Sequence, residues 1–190
     1  MDTDILALFP FASVAKVQKK GLTPTQAAYM AGLLDGEGHF GMQRKLVTSR
    51  GYRYKTFEAF VVLVMTNKVF METIAALVPW GGGTVGRNSR VLHGRARPGY
   101  RMKWSSTAAV QLCRAILPYL RLKTPHAKLI IALADAKAGA QAERSGRGHA
   151  YPARIVQLQE AMFVAMRNLN KRGQDNVSCR LEEAAKVDGC

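Results

Sequence analysis

Acidic residues are scarce in this 190-residue chain. Thirteen Asp and Glu stand against 28 Lys and Arg, which gives a formal charge of +15 and a pI near 10.2. This balance argues against a neutral metabolic enzyme and for a polyanionic partner, either nucleic acid or an anionic membrane surface. Cysteine is also sparse: Cys113, Cys179 and Cys190 are odd in number and form no C-x-x-C pair. A zinc cluster or a disulfide framework is therefore not expected, and the chain reads as a reduced, intracellular protein. His93, His126 and His149 show no metal-ligand spacing. No apolar run is long enough to span a bilayer: the stretch from Ile5 to Val17 is too short and is interrupted by Pro10. Asp2 and Asp4 precede it, where a secretory signal carries positive charge, and the first fifteen residues hold no Arg or Lys. The expectation is a protein that is neither secreted nor membrane-bound, in a prokaryotic cytoplasm or an organelle such as a mitochondrion or chloroplast. What remains is 48% hydrophobic, enough for one core or a tight pair.

Local signals give the order of elements. Thr23-Pro24-Thr25-Gln26 reads as a capping box with proline in the first helical turn. The helix behind it carries small residues, Ala28 and Gly32, four apart, a spacing that lets two helix backbones approach closely. Asp35-Gly36-Glu37-Gly38 should end it. In the next strand Phe40 and Met42 point one way, and His39, Gly41, Gln43 and Lys45 the other. A basic turn centred on Ser49-Arg50-Gly51 leads to a return strand over 56–65 and a helix over 67–78. A second hairpin over 84–104 has Arg87, Arg90, Arg95 and Arg97 at its tip, and its last strand alternates Tyr100, Met102 and Trp104 with Arg101 and Lys103. Helices are expected over 106–120, from 124 to about 138, and from about 153 to 170, with a further turn over 181–185. The fold class is α+β with a four-stranded antiparallel sheet, followed by C-terminal helices. The chain divides into an extension (1–22), a core (23–138), a flexible basic loop (139–152) and a C-terminal helix and tail (153–190). A sheet with helices on one face and basic residues on the other suits nucleic acid. The outward alternation of the return strand (Glu58, Phe60, Val62, Val64) is unusually apolar for such a face. Either Phe60 and Val62 meet thymine methyls, or the register is one residue off.

Asp35 and Glu37 sit where a helix ends, a position the helix dipole makes unfavourable for acids. Carboxylate, unsatisfied last-turn carbonyls and dipole together favour a hard cation such as Mg²⁺. One carboxylate and one carbonyl are not a full cage, so nucleic-acid phosphates would complete it. Taken alone, the four residues better suit a capped surface turn. Their context decides. Ala31-Gly32-Leu33-Leu34-Asp35-Gly36-Glu37-Gly38 closely resembles the signature of the LAGLIDADG homing endonucleases. The order helix, hairpin, helix, hairpin, helices is similar to that family's αββαββα pattern. Leu117-Pro118-Tyr119-Leu120-Arg121-Leu122-Lys123 resembles a further family stretch, so the likeness spans about residues 24–138.

The resemblance implies specific roles. Glu37 matches the metal-binding acid, assisted by the Gly36 carbonyl, and Asn67 a polar residue that orients water. Lys123 matches a basic group beside the scissile phosphates. The family position one turn after Asn67, often basic, is here Met71, and Arg44 or Lys68 would replace that charge. The DNA-contacting set is expected to be His39, Gln43, Arg44, Lys45, Lys55, Glu58, Arg87, Arg90, Arg101 and Lys103. Only one signature is present, and single-signature members are homodimers. A C2 pair through the 24–36 helix would supply the second Glu37. The implied activity is a Mg²⁺-dependent double-strand break in a long pseudo-palindromic DNA target, with Mn²⁺ as a substitute and Ca²⁺ binding without supporting cleavage. Such genes lie in introns or inteins, or stand free. The rival reading is an intron RNA maturase, or a non-cleaving DNA- or RNA-binding protein of the same fold. A ribosomal-type protein would explain the charge but not the helix that ends in acids.

Overall fold

The computed structural model describes residues 21–49, 51–78, 80, 85–87, 99–143 and 150–171. The expectations for Arg90, Arg95, Arg97, His93, His149, the extension and the tail turn lie outside them. The elements are α1 (Pro24–Glu37), β1 (Gly38–Ser49), β2 (Tyr52–Met65), α2 (Lys68–Leu77), β3 (Gly86–Arg87), β4 (Tyr100–Ser105), α3 (Thr107–Ile116), α4 (Thr124–Gly139) and α5 (Ala153–Leu169). The four strands are antiparallel in the order β1-β2-β4-β3. Among the described residues, no helix is long and apolar enough to cross a membrane.

The capping box at the start of α1 forms as its residues dictate. The Thr23 hydroxyl accepts from the Gln26 N–H, and the Gln26 side chain accepts from the Thr23 N–H. Ala27, Met30, Ala31 and Leu34 turn inward, whereas Thr25, Ala28, Gly32 and Gly36 are exposed along the opposite stripe. The helix stops at Gly38, whose N–H donates to the Leu34 carbonyl. A Cβ there would lie 2.5 Å from that oxygen and 2.9 Å from Leu34 Cα, so only glycine lets the chain turn directly into β1.

Strand alternation builds the core. Phe40 and Met42 of β1, Phe57, Ala59, Val61 and Leu63 of β2, and Met102 and Trp104 of β4 face the helices and are buried. They pack with Met71 and Ile74 of α2, Leu112 and Ile116 of α3, and Ile130 and Leu133 of α4. Each such large side chain contributes roughly 1.5–3 kcal/mol on burial. Helix α5 packs on β1, β2 and α4, and its Met166 joins the same cluster. The core thus continues past residue 138 into the C-terminal helix. Cys113 is fully buried, and burial pushes its thiol up to about 12, so it is unreactive.

Three details differ from expectation. β2 begins at Tyr52, four residues before the return strand expected over 56–65. α3 ends at Ile116, four residues early, because Pro118 lacks an N–H to continue the ladder. The chain leaves through a turn in which Ile116 accepts from the Tyr119 and Leu120 N–H groups. Met71 is a fully buried core residue, which explains why no basic side chain occupies that position.

Candidate nucleic-acid interface and metal centre

The end of α1 gathers three of the predicted groups. Asp35 sends one carboxylate oxygen to the Arg121 N–H (2.7 Å) and the other to the Lys123 N–H (2.8 Å). Both oxygens are spent on the α3–α4 link, so Asp35 is an anchor. This resolves the unfavourable placing of an acid at a helix C-terminus: its partners come from another segment. The anchored link brings Lys123 to the α1–β1 junction, where its ammonium donates to the Gly38 carbonyl. Burial lowers the Lys123 pKa from the usual lysine value, while the charges of Asp35 and Glu37 pull the other way. Glu37 and Gly36 are exposed beside it.

Other groups close in on this corner. His126 of α4 lies against Phe40, with ring centroids 6.2 Å apart. Its pKa is lowered by burial and by the charge of Lys123. Asn170, just past α5, donates to the Phe40 carbonyl at 3.0 Å. Asn67 stands at the exit of β2, on the sheet end that holds Gly38 opposite Leu63. Its carboxamide oxygen accepts from the Phe70 N–H at 3.0 Å and caps α2, so this atom already has a structural partner.

The face of the sheet away from the helices carries aligned rows. Gln43 stands opposite Glu58, Gly41 beside Phe60 and Ser105, His39 beside Val62 and Lys103, and Val64 beside Arg101. The alternation read for the return strand thus holds, with Glu58, Phe60, Val62 and Val64 on the open face. The Phe60 ring lies across Gly41, where a Cβ would meet it at 2.4 Å. The Lys103 ammonium sits 4.7 Å above the ring centre and His39 is 5.8 Å away, tilted.

Comparison with solved structures identifies the architecture. No protein-family profile matches the sequence, and no curated protein matches it. The homing endonuclease I-CvuI, crystallised with the I-CreI target in the presence of Mg and with the DNA not cleaved, superposes with a TM-score of 0.59. It is 16% identical and the match covers 87% of this chain and 96% of that one. The group I intron-encoded homing endonuclease I-CeuI, complexed with DNA, matches at 0.55 and 16% identity over 84% of this chain and 73% of that one. This chain has the LAGLIDADG homing endonuclease fold.

Within that fold, not every predicted contact residue reaches the open face. His39, Gln43, Lys45, Glu58, Arg101 and Lys103 do, by the strand register. Arg44 and Lys55 do not. Both share the helix side with Phe57, and Glu160 of α5 binds them at 3.2 and 3.4 Å. The Arg44 guanidinium also covers the Phe163 ring at 5.6 Å. Lys68 pairs with Glu72 on the surface of α2, so both residues named to replace a basic group at position 71 are paired with acids elsewhere. Arg87 is exposed but stands opposite Tyr100, on the helix side of the edge strand. Arg90 lies outside the described residues.

Sequence reasoning missed Asp35 as an anchor, Glu160 as a clamp, and Asn170 and Ser106 as partners. Only the first had a signal, an acid in a place the dipole disfavours. Among the described residues no three His, Cys, Asp or Glu side chains converge on one point. Glu37 and the carbonyls of the last α1 turn are the groups at this corner that could hold a divalent cation.

Proposed function

We propose that the LAGLIDADG-fold chain is a site-specific homing endonuclease that acts as a homodimer and makes a Mg²⁺-dependent double-strand break in a long pseudo-palindromic DNA target. The carrying observation is the corner where Asp35 ties Lys123 to the end of α1 beside the exposed Glu37, at one end of an open face bearing Lys45, Arg101 and Lys103. Glu37 and the Gly36 carbonyl fit half of a divalent-cation site. A second copy and the phosphates of DNA supply the rest. The exposed stripe of Ala28, Gly32 and Gly36 suits a helix–helix axis, since nothing lies within 4 Å of a Cβ placed at either glycine. Mg²⁺ bound there would neutralise charge on the scissile phosphates. Lys123 steadies negative charge as it develops, and its ammonium is held in place by the Gly38 carbonyl. The +15 charge sets affinity through phosphate contacts, which makes binding strongly salt-dependent. The residues offered to base edges are His39, Gln43, Lys45, Arg101 and Lys103. Mn²⁺ should replace Mg²⁺, and Ca²⁺ should support binding without cleavage.

The test is a pool of random DNA duplexes incubated with and without Mg²⁺, followed by sequencing of new ends, with Glu37→Gln alongside. Mg²⁺-dependent ends at one near-palindromic site, absent with Glu37→Gln although binding persists, support the reading. Enrichment by binding with no cut ends overturns it in favour of a non-cleaving nucleic-acid-binding protein, with intron RNA as the next partner to try.

A further inference from the structure

The open face carries an acid midway along β2 and just beyond the end of β4, Glu58, in a molecule short of acids. An anion facing DNA weakens binding to every sequence alike, so its presence there calls for another role. Its surroundings supply one. One carboxylate oxygen accepts from both the Gln43 amide and the Lys45 ammonium. The other accepts from the Ser106 hydroxyl at 2.6 Å. The three donors come from β1 and from the junction between β4 and α3, so one carboxylate joins three parts of the face.

Ser106 is arranged for this contact. It occupies the N-cap of α3, where a serine normally accepts from a helix N–H, yet its side chain makes no capping bond. Its backbone sits at φ 50°, the only positive φ among the described non-glycine residues. Its N–H is held by the Ala59 carbonyl at 2.9 Å. The strained backbone turns the hydroxyl towards Glu58 and away from the helix it precedes. Burial works to raise the Glu58 pKa. The hydrogen bonds from Lys45, Ser106 and Gln43, with the charge of Lys45, outweigh it and hold the group down to about 2. The carboxylate is therefore charged throughout the physiological range.

We infer that Glu58 is the specificity-determining positioning residue of the DNA face, holding Gln43 and Lys45 in fixed rotamers so that they read base edges instead of seeking phosphates. The inference rests on the proposed DNA-reading function. Lys45 is the sharper case. Its side chain is about half exposed, and without Glu58 its ammonium would be free to follow the nearest phosphate. Gln43 needs an orienting partner too, because an amide reads adenine only when its donor and acceptor are aimed. The acid gives up general affinity and gains discrimination.

The experiment compares the full-length wild type, Glu58→Gln and Ser106→Gly without Mg²⁺. Each is measured for enrichment from a random duplex pool and for affinity to one arbitrary duplex over a salt series. Ser106→Gly removes the hydroxyl at a φ that glycine prefers, so it keeps the fold testable if Glu58→Gln folds poorly. For Glu58→Gln, preference should fall by about tenfold at one or two adjacent base pairs per half-site. Affinity for the arbitrary duplex should hold or rise, and the salt slope should steepen by about one per copy as Lys45 turns to phosphate. Ser106→Gly should lose preference at the same base pairs, to a smaller extent, with an unchanged melting temperature. Unaltered preference in both variants, or a uniform loss across all sequences, overturns the inference while leaving the DNA-reading function standing. A wild type without base preference overturns that function, and the inference with it.

Discussion

Replacing Asp35 tests the assembly of the proposed catalytic corner without touching Glu37. Its carboxylate accepts two backbone N–H groups, from Arg121 at 2.7 Å and Lys123 at 2.8 Å. A hydrogen bond to a charged group contributes about 1.5–3 kcal/mol. The Arg121 bond is exposed, and water replaces much of it, whereas the Lys123 bond is part-buried. Removing an acid from a helix C-terminus returns about 0.5 kcal/mol. Asp35→Ala should therefore cost about 2 kcal/mol, which for a chain of this size lowers the melting temperature by about 4–8 °C. Asp35→Asn should also destabilise, because its amide nitrogen would confront one of the two donors. Cleavage should fall in both, since Lys123 loses the bond that sets its backbone. Thermal unfolding by circular dichroism and Mg²⁺-dependent cutting are the two readouts. An Asp35→Asn protein that melts within about 1 °C of wild type and cuts normally refutes the anchor. One that keeps its melting temperature but cuts only at raised Mg²⁺, or not at all, makes Asp35 a ligand instead.

Two further substitutions probe the same helix. Gly38→Ala would place a Cβ 2.5 Å from a backbone oxygen that has no flexible side chain to yield, so the α1–β1 turn must open. The cost should be about 2–3 kcal/mol, read as a lowered urea midpoint; a wild-type midpoint refutes the close approach. Gly32→Leu meets open space within one copy and improves helix propensity by up to about 1 kcal/mol, so the fold of each copy should be kept, and any fall in melting should be the concentration-dependent part that the partner supplied. Sedimentation should change from dimer to monomer, and a variant that still sediments as a dimer removes α1 from the interface.

What was legible in the sequence was local or periodic. The capping box needs only residues 23–26, and the strand faces follow from alternation of period two. That alternation sets Arg44 on the same side as Phe40 and Met42, and it is only the positive charge that suggests a DNA contact. Nothing near residue 44 announces Glu160, which approaches from 116 positions along the chain. Lys55 precedes the strand as periodicity bounds it, so its face has no sequence signal at all. Met71 follows the apolar spacing of its own helix (Phe70, Ile74, Leu77), and that spacing foretells its burial better than a family position does. The Asp35 bonds and the Ser106–Glu58 bond are tertiary facts between segments 86 and 48 residues apart, out of reach of any local pattern.

The strand that leaves the proposed catalytic corner also carries the proposed reading face, and on that reading recognition is tied to chemistry by length. β1 starts at Gly38, next to Glu37, and extends to Ser49 without a break. A strand rises about 3.3 Å per residue, so Gln43 and Lys45 lie roughly 20–27 Å along it from Glu37. At about 3.4 Å per base pair, that corresponds to some six to eight base pairs from the cut if the strand follows the groove, and fewer if it crosses at an angle. The whole of β1, at about 40 Å, limits a half-site to about a dozen base pairs, and a C2 pair to about two dozen. Discrimination through the Glu58 cluster therefore belongs in the middle of each half-site. Base pairs nearer the cut face the Phe60 and Val62 rows, where His39 and Lys103 flank the apolar side chains, so hydrogen bonds from those two residues and contact of Phe60 with a thymine methyl are the discrimination available. A Glu58→Gln protein whose altered preference fell outside the middle base pairs of each half-site would break the link between strand length and site.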